Sequence, residues 1–112
     1  MADNSKYIAD IRAYAGSVDE DAVAGIVRHL GIALRRRDSS LVAGTDPKEL
    51  ARVRESWLKK KLALKESDAR LDAAIAAVME KMKGDTTKSR VTVYYLLAEH
   101  FRKLNALHPA KK

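Results

Sequence analysis

Apolar residues recur every three or four positions along most of the chain, and breaks in this pattern separate five predicted helices. The first helix covers residues 5–15 and ends at Gly16. The second begins at Ser17, which forms a capping-box pair with Glu20, and stops at Gly31. The short connection between these two helices favours an antiparallel pair.

Signals for helix starts mark the third and fourth helices. Asp46 stands at an N-cap position, Pro47 follows at the first helical position, and Glu49 lies three residues after the cap. Ser67 caps the fourth helix, which ends at Gly84 and whose alanines favour helix and close packing. These alanines are Ala73, Ala74, Ala76 and Ala77. The apolar positions of the third helix lie on two sides, with Leu50, Val53 and Trp57 on one and Leu58 and Leu62 on the other.

The fifth helix, predicted over residues 87–104, contains the run VYYLLAEHF and is apolar on more than one side. Its broad apolar face carries Val91, Tyr94, Leu97, Ala98, Phe101 and Leu104. Steps of about 100° per residue place Tyr95 and Leu96 on the opposite side, which therefore also needs a covering surface. Either other helices of the same bundle cover Tyr95 and Leu96, or the two residues form an interface between subunits, where aromatic residues are enriched.

Together these patterns predict an all-α fold, a single-domain bundle of four to five helices with a short helical connector. The connector covers residues 32–45, where polar residues interrupt the helical pattern, and no run of useful length predicts a strand. The helical domain is expected to span residues 1–108, followed by a disordered basic tail at residues 109–112. The side chains predicted to meet in the core are Trp57, Ile75, Met79, Tyr94, Leu97 and Phe101.

Composition narrows the possible classes of protein. The chain of 112 residues has no cysteine, which excludes disulfides, thiolate metal sites and a cysteine nucleophile. No segment approaches the roughly 18 apolar residues of a membrane-spanning helix, and the first residues do not resemble a signal peptide. We therefore expect a cytoplasmic protein without a membrane partner.

Positive charge is the main indication of a partner. The chain has 22 Lys and Arg against 15 Asp and Glu, and its net charge of +7 favours encounters with polyanions. Basic groups at residues 35–37, 59–61 and 81–90 lie beside predicted helix ends, where they could contact phosphates. The candidate contacts are Arg35, Arg36, Arg37, Lys59, Lys60, Lys88 and Arg90. A different interpretation is an ordinary solvated surface, on which the stems of Lys60 and Lys61 lie over Trp57.

Signatures of catalysis and metal binding are missing from the sequence. His29, His100 and His108 lack the paired helical spacing of a zinc site, and His100 is expected to be partly buried at the edge of the core. The acidic residues stand mainly at predicted helix starts, where carboxylates act as caps. No phosphate-binding glycine loop or nucleophile elbow is present. We expect no enzymatic activity and no cofactor.

Three segments carry a resemblance to a known family. They are VYYLLAEHF preceded by Lys88 and Arg90, TDPKEL at residues 45–50, and WLKKKLAL at residues 57–64. These segments resemble a small family of bacterial all-helical proteins whose function is uncharacterised. The chain departs from the family pattern at residues 32–37, where IALRRR replaces a proline and an aromatic residue. The resemblance implies a helical fold and supplies no catalytic residue.

Binding is the role that these features favour. The leading hypothesis is a protein-interaction or self-associating module without catalysis, whose partner is an unidentified protein or a second copy of the chain. The alternative is a protein that binds nucleic acid without sequence specificity through the three basic groups.

Overall fold

The computed structural model of the chain describes residues 5–31, 41–42, 44, 46–84 and 88–107. The elements in chain order are α1 (Ser5–Arg12), α2 (Glu20–Leu30), β1 (Leu41–Val42), α3 (Pro47–Arg52), a π-helical segment (Val53–Lys61), α4 (Asp68–Lys81), β2 (Lys88–Ser89), α5 (Arg90–His100) and a 3₁₀ helix (Leu104–Leu107). The prediction of an all-α single domain is confirmed, and the Cα radius of gyration of 13.0 Å is that of a compact domain of this length. Most of the predicted connector, and the predicted tail at residues 109–112, lie outside the described residues.

One small strand pair was not predicted. β1 and β2 are antiparallel, with Leu41 opposite Ser89 and Val42 opposite Lys88. The pair leaves the all-α class unchanged, and the sequence did not indicate it because a strand of two residues is too short to show alternation. The pairing also delays the start of the last long helix from residue 87 to Arg90.

Most of the predicted helix caps are confirmed. Asp46 accepts a hydrogen bond from the backbone N–H of Lys48, and Ser67 accepts one from that of Arg70. Asp19 caps α2, accepting from Ala22 N at 3.1 Å, so the start predicted at Ser17 is two residues too early. The sequence offered Asp and Ser at neighbouring positions, and both residue types serve as caps.

The core surrounds α5. Every residue from Arg90 to Ala98 is buried, which confirms that the fifth predicted helix is central. α1, α2, α4 and the π-helical segment all pack against it. Of the residues predicted to form the core, Trp57, Ile75, Tyr94 and Leu97 are buried, whereas Met79 and Phe101 are half-buried against its edge.

Two polar contacts tie α5 to the N-terminal helices. The Thr92 hydroxyl donates to a carboxylate oxygen of Asp10 in α1. The Tyr95 hydroxyl accepts from the backbone N–H of Asp19, the cap of α2, at 2.8 Å. Because a buried polar group without a partner costs about 1–3 kcal/mol, these contacts favour one rotation and one position of α5.

The third predicted helix changes its winding at Val53. Counted from Val53, the next buried apolar residues lie four, five and nine positions further along the chain. The four buried residues are Val53, Trp57, Leu58 and Leu62. Hydrogen bonds such as Leu62 N to Trp57 O, 2.9 Å, span five residues and widen the turn to roughly four to five residues. The residues that a regular α-helix would divide between two sides therefore share one buried face.

α5 ends without a glycine. Arg102 takes a positive φ of 58°, its N–H bonds to Glu99 O, and the N–H of Lys103 bonds to Ala98 O at 2.8 Å. This is a Schellman motif, in which glycine usually holds the left-handed position. The predicted end at residue 104 is therefore too late, because the sequence carried no stop signal at Arg102.

Candidate functional site

The chain itself covers both residues of the candidate interface. Tyr95 is 1% exposed and Leu96 is 3% exposed. Burial raises the pKa of the Tyr95 hydroxyl, which is engaged by the Asp19 N–H. Residues buried inside one copy cannot contact another, so the hypothesis of a subunit interface at Tyr95 and Leu96 is wrong and its alternative, cover by the same bundle, is correct.

Arg90, a candidate phosphate contact, is buried between elements of the same chain. Its Nη2 lies 2.7 Å from Glu49 Oε2 and donates to the carbonyl of Leu41 at 3.1 Å, and its Nη1 donates to the Tyr94 hydroxyl at 3.2 Å. Burial opposes the charge, but the bonds to Tyr94 and Glu49 outweigh it and raise the pKa of Arg90. The guanidinium joins α5, α3 and β1 and does not face solvent, so the prediction of a phosphate contact at Arg90 is wrong.

Lys59 takes part in an ion-pair network between the π-helical segment and α4. Its Nζ lies 2.6 Å from Asp68 Oδ1 and 3.1 Å from Glu55 Oε2. Arg54 donates to Glu55 at 2.8 Å and to both carboxylate oxygens of Asp72 at 3.0 Å. These hydrogen bonds raise the pKa of Lys59 and lower those of Asp68 and Glu55. Two carboxylates already match the charge of Lys59, which argues against the predicted phosphate contact there.

The other candidate basic residues have different settings. Lys60 is exposed on the π-helical segment, and Lys88 is half-buried in β2. The prediction also named Arg35, Arg36 and Arg37, and these three residues lie outside the described residues. Within the described part of the chain, the predicted basic residues are thus divided between separate environments.

The two described histidines have different surroundings. His100 is exposed, with its ring edge-on to Phe101, so the expectation of a partly buried side chain is wrong. His29 is also exposed, but its ring lies 5.4 Å from that of Trp57, and partial desolvation together with nearby Lys61 lowers the pKa of His29. Among residues 5–31, 41–42, 44, 46–84 and 88–107, no group of three or more His, Asp or Glu is placed to hold a metal ion.

An open groove lies between α3 and α4. It consists of two adjoining clefts of about 310 Å³ and about 380 Å³, which share Leu50 and Ala76 and which we call the α3–α4 groove. Arg54 and Asp72 line one end of the groove. The other end is lined by Gly44, Met79, Glu80, Lys83 and Lys88. The residues shared by the two clefts are therefore apolar, and each cleft also has charged side chains in its lining.

Small residues keep this groove open. Ala74 is buried, as its predicted close packing requires, but Ala73, Ala76 and Ala77 are exposed. The absence of a side chain at Gly44 also matters, because a Cβ there would lie 3.1 Å from Met79 Sδ. Of these alanines only Ala76 lines the groove, and the sequence pattern predicted close packing for it without indicating an open surface.

A smaller cleft lies between α4 and α5. Its volume is about 230 Å³, and Ala77, Lys81, Leu96, Glu99 and His100 contribute to its lining. Leu96 closes its floor while remaining almost fully buried. The lining of this cleft is more polar than that of either cleft of the α3–α4 groove.

Comparison with known protein families gives a match over most of the chain. A family described as "Protein of unknown function (DUF2853)" matches residues 6–105. The match includes the three segments that carried the resemblance and the whole of α2, α3, α4 and α5. No curated protein matches the chain.

Proposed function

The chain belongs to a family of proteins of unknown function, DUF2853, and we propose that it binds another protein, without catalysis, through the α3–α4 groove. The observation that carries the proposal is the exposure of apolar surface along this groove, where Leu50 and Met79 are only half-buried and Ala76 is exposed. Concave apolar surfaces with charged margins are typical of binding sites.

The arrangement of charged groups supports a role without catalysis. Catalytic acids and bases typically face a cleft and have shifted pKa values. Among the ion pairs of the described residues, the most buried one, Arg90 with Glu49, connects α5 with α3. The pKa shifts of Lys59 and Asp68 arise from their contact with each other on the surface.

The proposed setting of this activity is the bacterial cytoplasm. The bacterial origin is what the family resemblance implies, and a chain without cysteine has none of the disulfides that oxidising compartments favour. Among the described helices, none combines the length and the apolar character needed to cross a bilayer.

Site-specific crosslinking in cells would test the groove. A photoreactive amino acid at Ala76, in the middle of the groove, is expected to give discrete protein adducts. The same amino acid at Ala73 is the matched control, because Ala73 is exposed on the same helix but lines neither cleft. Equal labelling at both positions, or no adduct at Ala76, would contradict the proposal.

The mass of the adduct also tests self-association. A crosslinked species of twice the chain mass, together with a dimer in sedimentation at low protein concentration, would identify the partner as a second copy. Such a dimer would not use Tyr95 or Leu96, which are buried. Replacement of both by Glu is expected to unfold the chain, as measured by circular dichroism.

Nucleic-acid binding without sequence specificity is the second candidate. Lys60 and Lys61 are exposed at the end of the π-helical segment, and Lys61 is close enough to His29 to lower its pKa. Arg28 is exposed in the last turn of α2, which also contains His29. The nearness of Lys61 to His29 supports a basic surface at this place, where phosphates could bind.

Salt dependence distinguishes this candidate. The logarithm of the binding constant for duplex DNA should fall with log salt at roughly 0.9 per phosphate contact. Replacement of Lys60 and Lys61 by Gln should reduce that slope, whereas replacement of exposed Lys48 and Lys65 by Gln should change it little. Absence of binding at low salt would exclude the candidate.

A further inference from the structure

The cleft between α4 and α5, which we call the α4–α5 cleft, carries a cation on one wall and an anion on the other. Lys81 lines it from the last turn of α4, and Glu99 lines it from the last turn of α5. His100 completes the ionisable lining, and the other lining residues are apolar. The cleft thus presents opposite charges on the two sides of an apolar strip.

Both of these charges are open to a partner. Lys81 and Glu99 are exposed, and neither forms an ion pair with another residue in the described ranges. The next acid along α4, Glu80, is paired with Lys83 at 2.8 Å and lines the α3–α4 groove instead. The cation and the anion of the α4–α5 cleft can therefore pair with charges of another molecule at no loss of a bond within the chain.

The walls of the cleft are the part that another molecule can reach. Ala77, on the α4 wall, is exposed and has no long side chain to hold a second surface away. The floor is formed by Val78 and Leu96, which are only 5% and 3% exposed. A surface that approaches the cleft therefore meets Ala77 and the two charged side chains, while the floor stays part of the core.

A second copy of the chain has the matching arrangement of charges. A two-fold rotation about an axis along the cleft places α4 of one copy against α5 of the other, so that Lys81 faces the partner's Glu99. Such an interface uses the same patch on both copies, and each contact occurs twice. A purely acidic or purely basic partner would satisfy one of the two charges and would place a like charge against the other.

From these features we propose that two copies of the chain associate through the α4–α5 cleft, with Lys81 of each copy paired with the partner's Glu99. This association goes beyond the binding proposed above, because it uses another face of α4 and leaves the α3–α4 groove open to a further protein. The contact is small and the net charge of +7 repels like copies, so we expect a weak dimer and not an obligate one.

Charge reversal on either wall tests the contact. Lys81→Glu places acids against acids across the two-fold axis, and Glu99→Lys places cations against cations. Each variant should weaken dimerisation by about tenfold or more, measured by sedimentation at concentrations where the unaltered chain is partly dimeric. Circular dichroism checks that the fold is retained, as expected for exposed positions. The controls are Lys60→Glu and Glu20→Lys, which change the charge equally at exposed positions outside the cleft.

A mixture of the two variants gives the sharpest result. When Lys81→Glu is combined with Glu99→Lys, every acid at the interface meets a cation of the other copy. A mixed dimer should therefore form although neither variant dimerises well alone, and a fluorescent label on one of them detects it. The double variant, with both changes in one chain, should also recover most of the dimerisation. Mixing the two control variants should give no such gain.

Three results would overturn this proposal. A chain that stays monomeric at its highest soluble concentration has no such interface. A dimer that Lys81→Glu and Glu99→Lys leave intact, or that their mixture does not restore, uses another surface. Equal weakening by the control variants would show that net charge alone governs the association. None of these results depends on adducts from Ala76, so binding in the α3–α4 groove is tested separately.

Discussion

Individual polar side chains determine how α5 sits in the bundle. A helix buried on nearly all sides has little amphipathic asymmetry to fix its rotation. Thr92 and Tyr95 each meet a partner from another helix, and Arg90 meets groups of α3 and β1. Each contact would be lost on rotation of the helix, so buried groups without partners penalise the alternatives. These polar contacts therefore select the single rotation of α5 in which its apolar residues pack.

Tyr95→Phe tests one of these contacts. Loss of the hydroxyl leaves the Asp19 N–H without its 2.8 Å acceptor and should lower the free energy of unfolding by about 1–2 kcal/mol. Urea denaturation measures this loss, and amide exchange at Asp19 should become faster. Tyr7→Phe, at a half-buried tyrosine of α1, is the matched control. Equal effects of the two substitutions would contradict the role of the Tyr95 hydroxyl.

Arg90→Met tests the buried ion pair. The substitution leaves the Glu49 carboxylate buried without its cation and should cost about 3–5 kcal/mol. Combination with Glu49→Leu should recover much of that loss, because a buried ion pair is often replaced by apolar residues without great cost. Urea denaturation of both single variants and the double variant gives the coupling energy. Additive losses would show that the pair is not coupled.

At the scale of elements, the ends and winding of helices depend on contacts between them. The π-helical segment and its C-cap, Leu62, gather four apolar residues on one face, and Ala63, with φ 55°, follows the cap. Trp57 is held by a hydrogen bond from its Nε1 to Tyr94 O and by ring stacking on Tyr94 at 4.3 Å. The wide winding is thus stabilised by what Trp57 contacts in α5, since π-helical hydrogen bonding is rare in helices of ordinary sequence.

Ala63→Gly tests the end of the π-helical segment. A left-handed residue other than glycine costs roughly 1–2 kcal/mol, part of which the entropy of glycine in the unfolded chain offsets. The variant should therefore be more stable by up to about 1 kcal/mol, measured as a higher midpoint of thermal unfolding. The control is Ala69→Gly, at an exposed position near the start of α4, which should be destabilising. Destabilisation by Ala63→Gly would argue against the left-handed turn.

Gly25→Ala tests the packing of α2 against the C-terminal 3₁₀ helix. A Cβ at Gly25 would lie 1.6 Å from Leu107 O, so one backbone must move. Alanine is favoured over glycine in a helix by about 1 kcal/mol. We nevertheless expect Gly25→Ala to lower the midpoint of thermal unfolding, because the two backbones lie too close for the added Cβ. Gly16→Ala, where nothing lies within 4 Å, is the control and should unfold at a similar or higher temperature. Resistance of the C-terminal segment to protease should fall in Gly25→Ala alone.

At the scale of the whole molecule, surface ion pairs and net charge link stability to pH. The pKa of Glu55 is lowered from its ordinary 4.5 by hydrogen bonds from Arg54 and Lys59. The pKa of Asp68 is lowered from 3.8 by the hydrogen bond from Lys59. A carboxylate with a lowered pKa stabilises the fold above its unfolded value and loses that contribution as pH falls through the folded one.

The free energy of unfolding should therefore decline as pH falls below about 4.5, because the unfolded chain binds these protons first. Lys59→Met should make the decline shallower, since it removes the cation that both carboxylates share. Lys60→Met is the control, with the same loss of charge at an exposed neighbouring position. Denaturation curves between pH 3 and 7 measure the slopes, and identical slopes in the two variants would count against the network.

The sequence by itself determined the helical class, the starts of α3 and α4, the end of α2 at Gly31 and the central place of α5. These features depend on local signals, such as a capping side chain or the period of apolar residues, that act within a few positions. Only the tertiary structure decided that Tyr95 and Leu96 are covered by the same chain, that Arg90 is an internal ion-pair partner, and that Ala76 borders an open groove. Exposure and pairing depend on residues far apart in the chain, and the same arginine or alanine is compatible with either environment until those neighbours are in place.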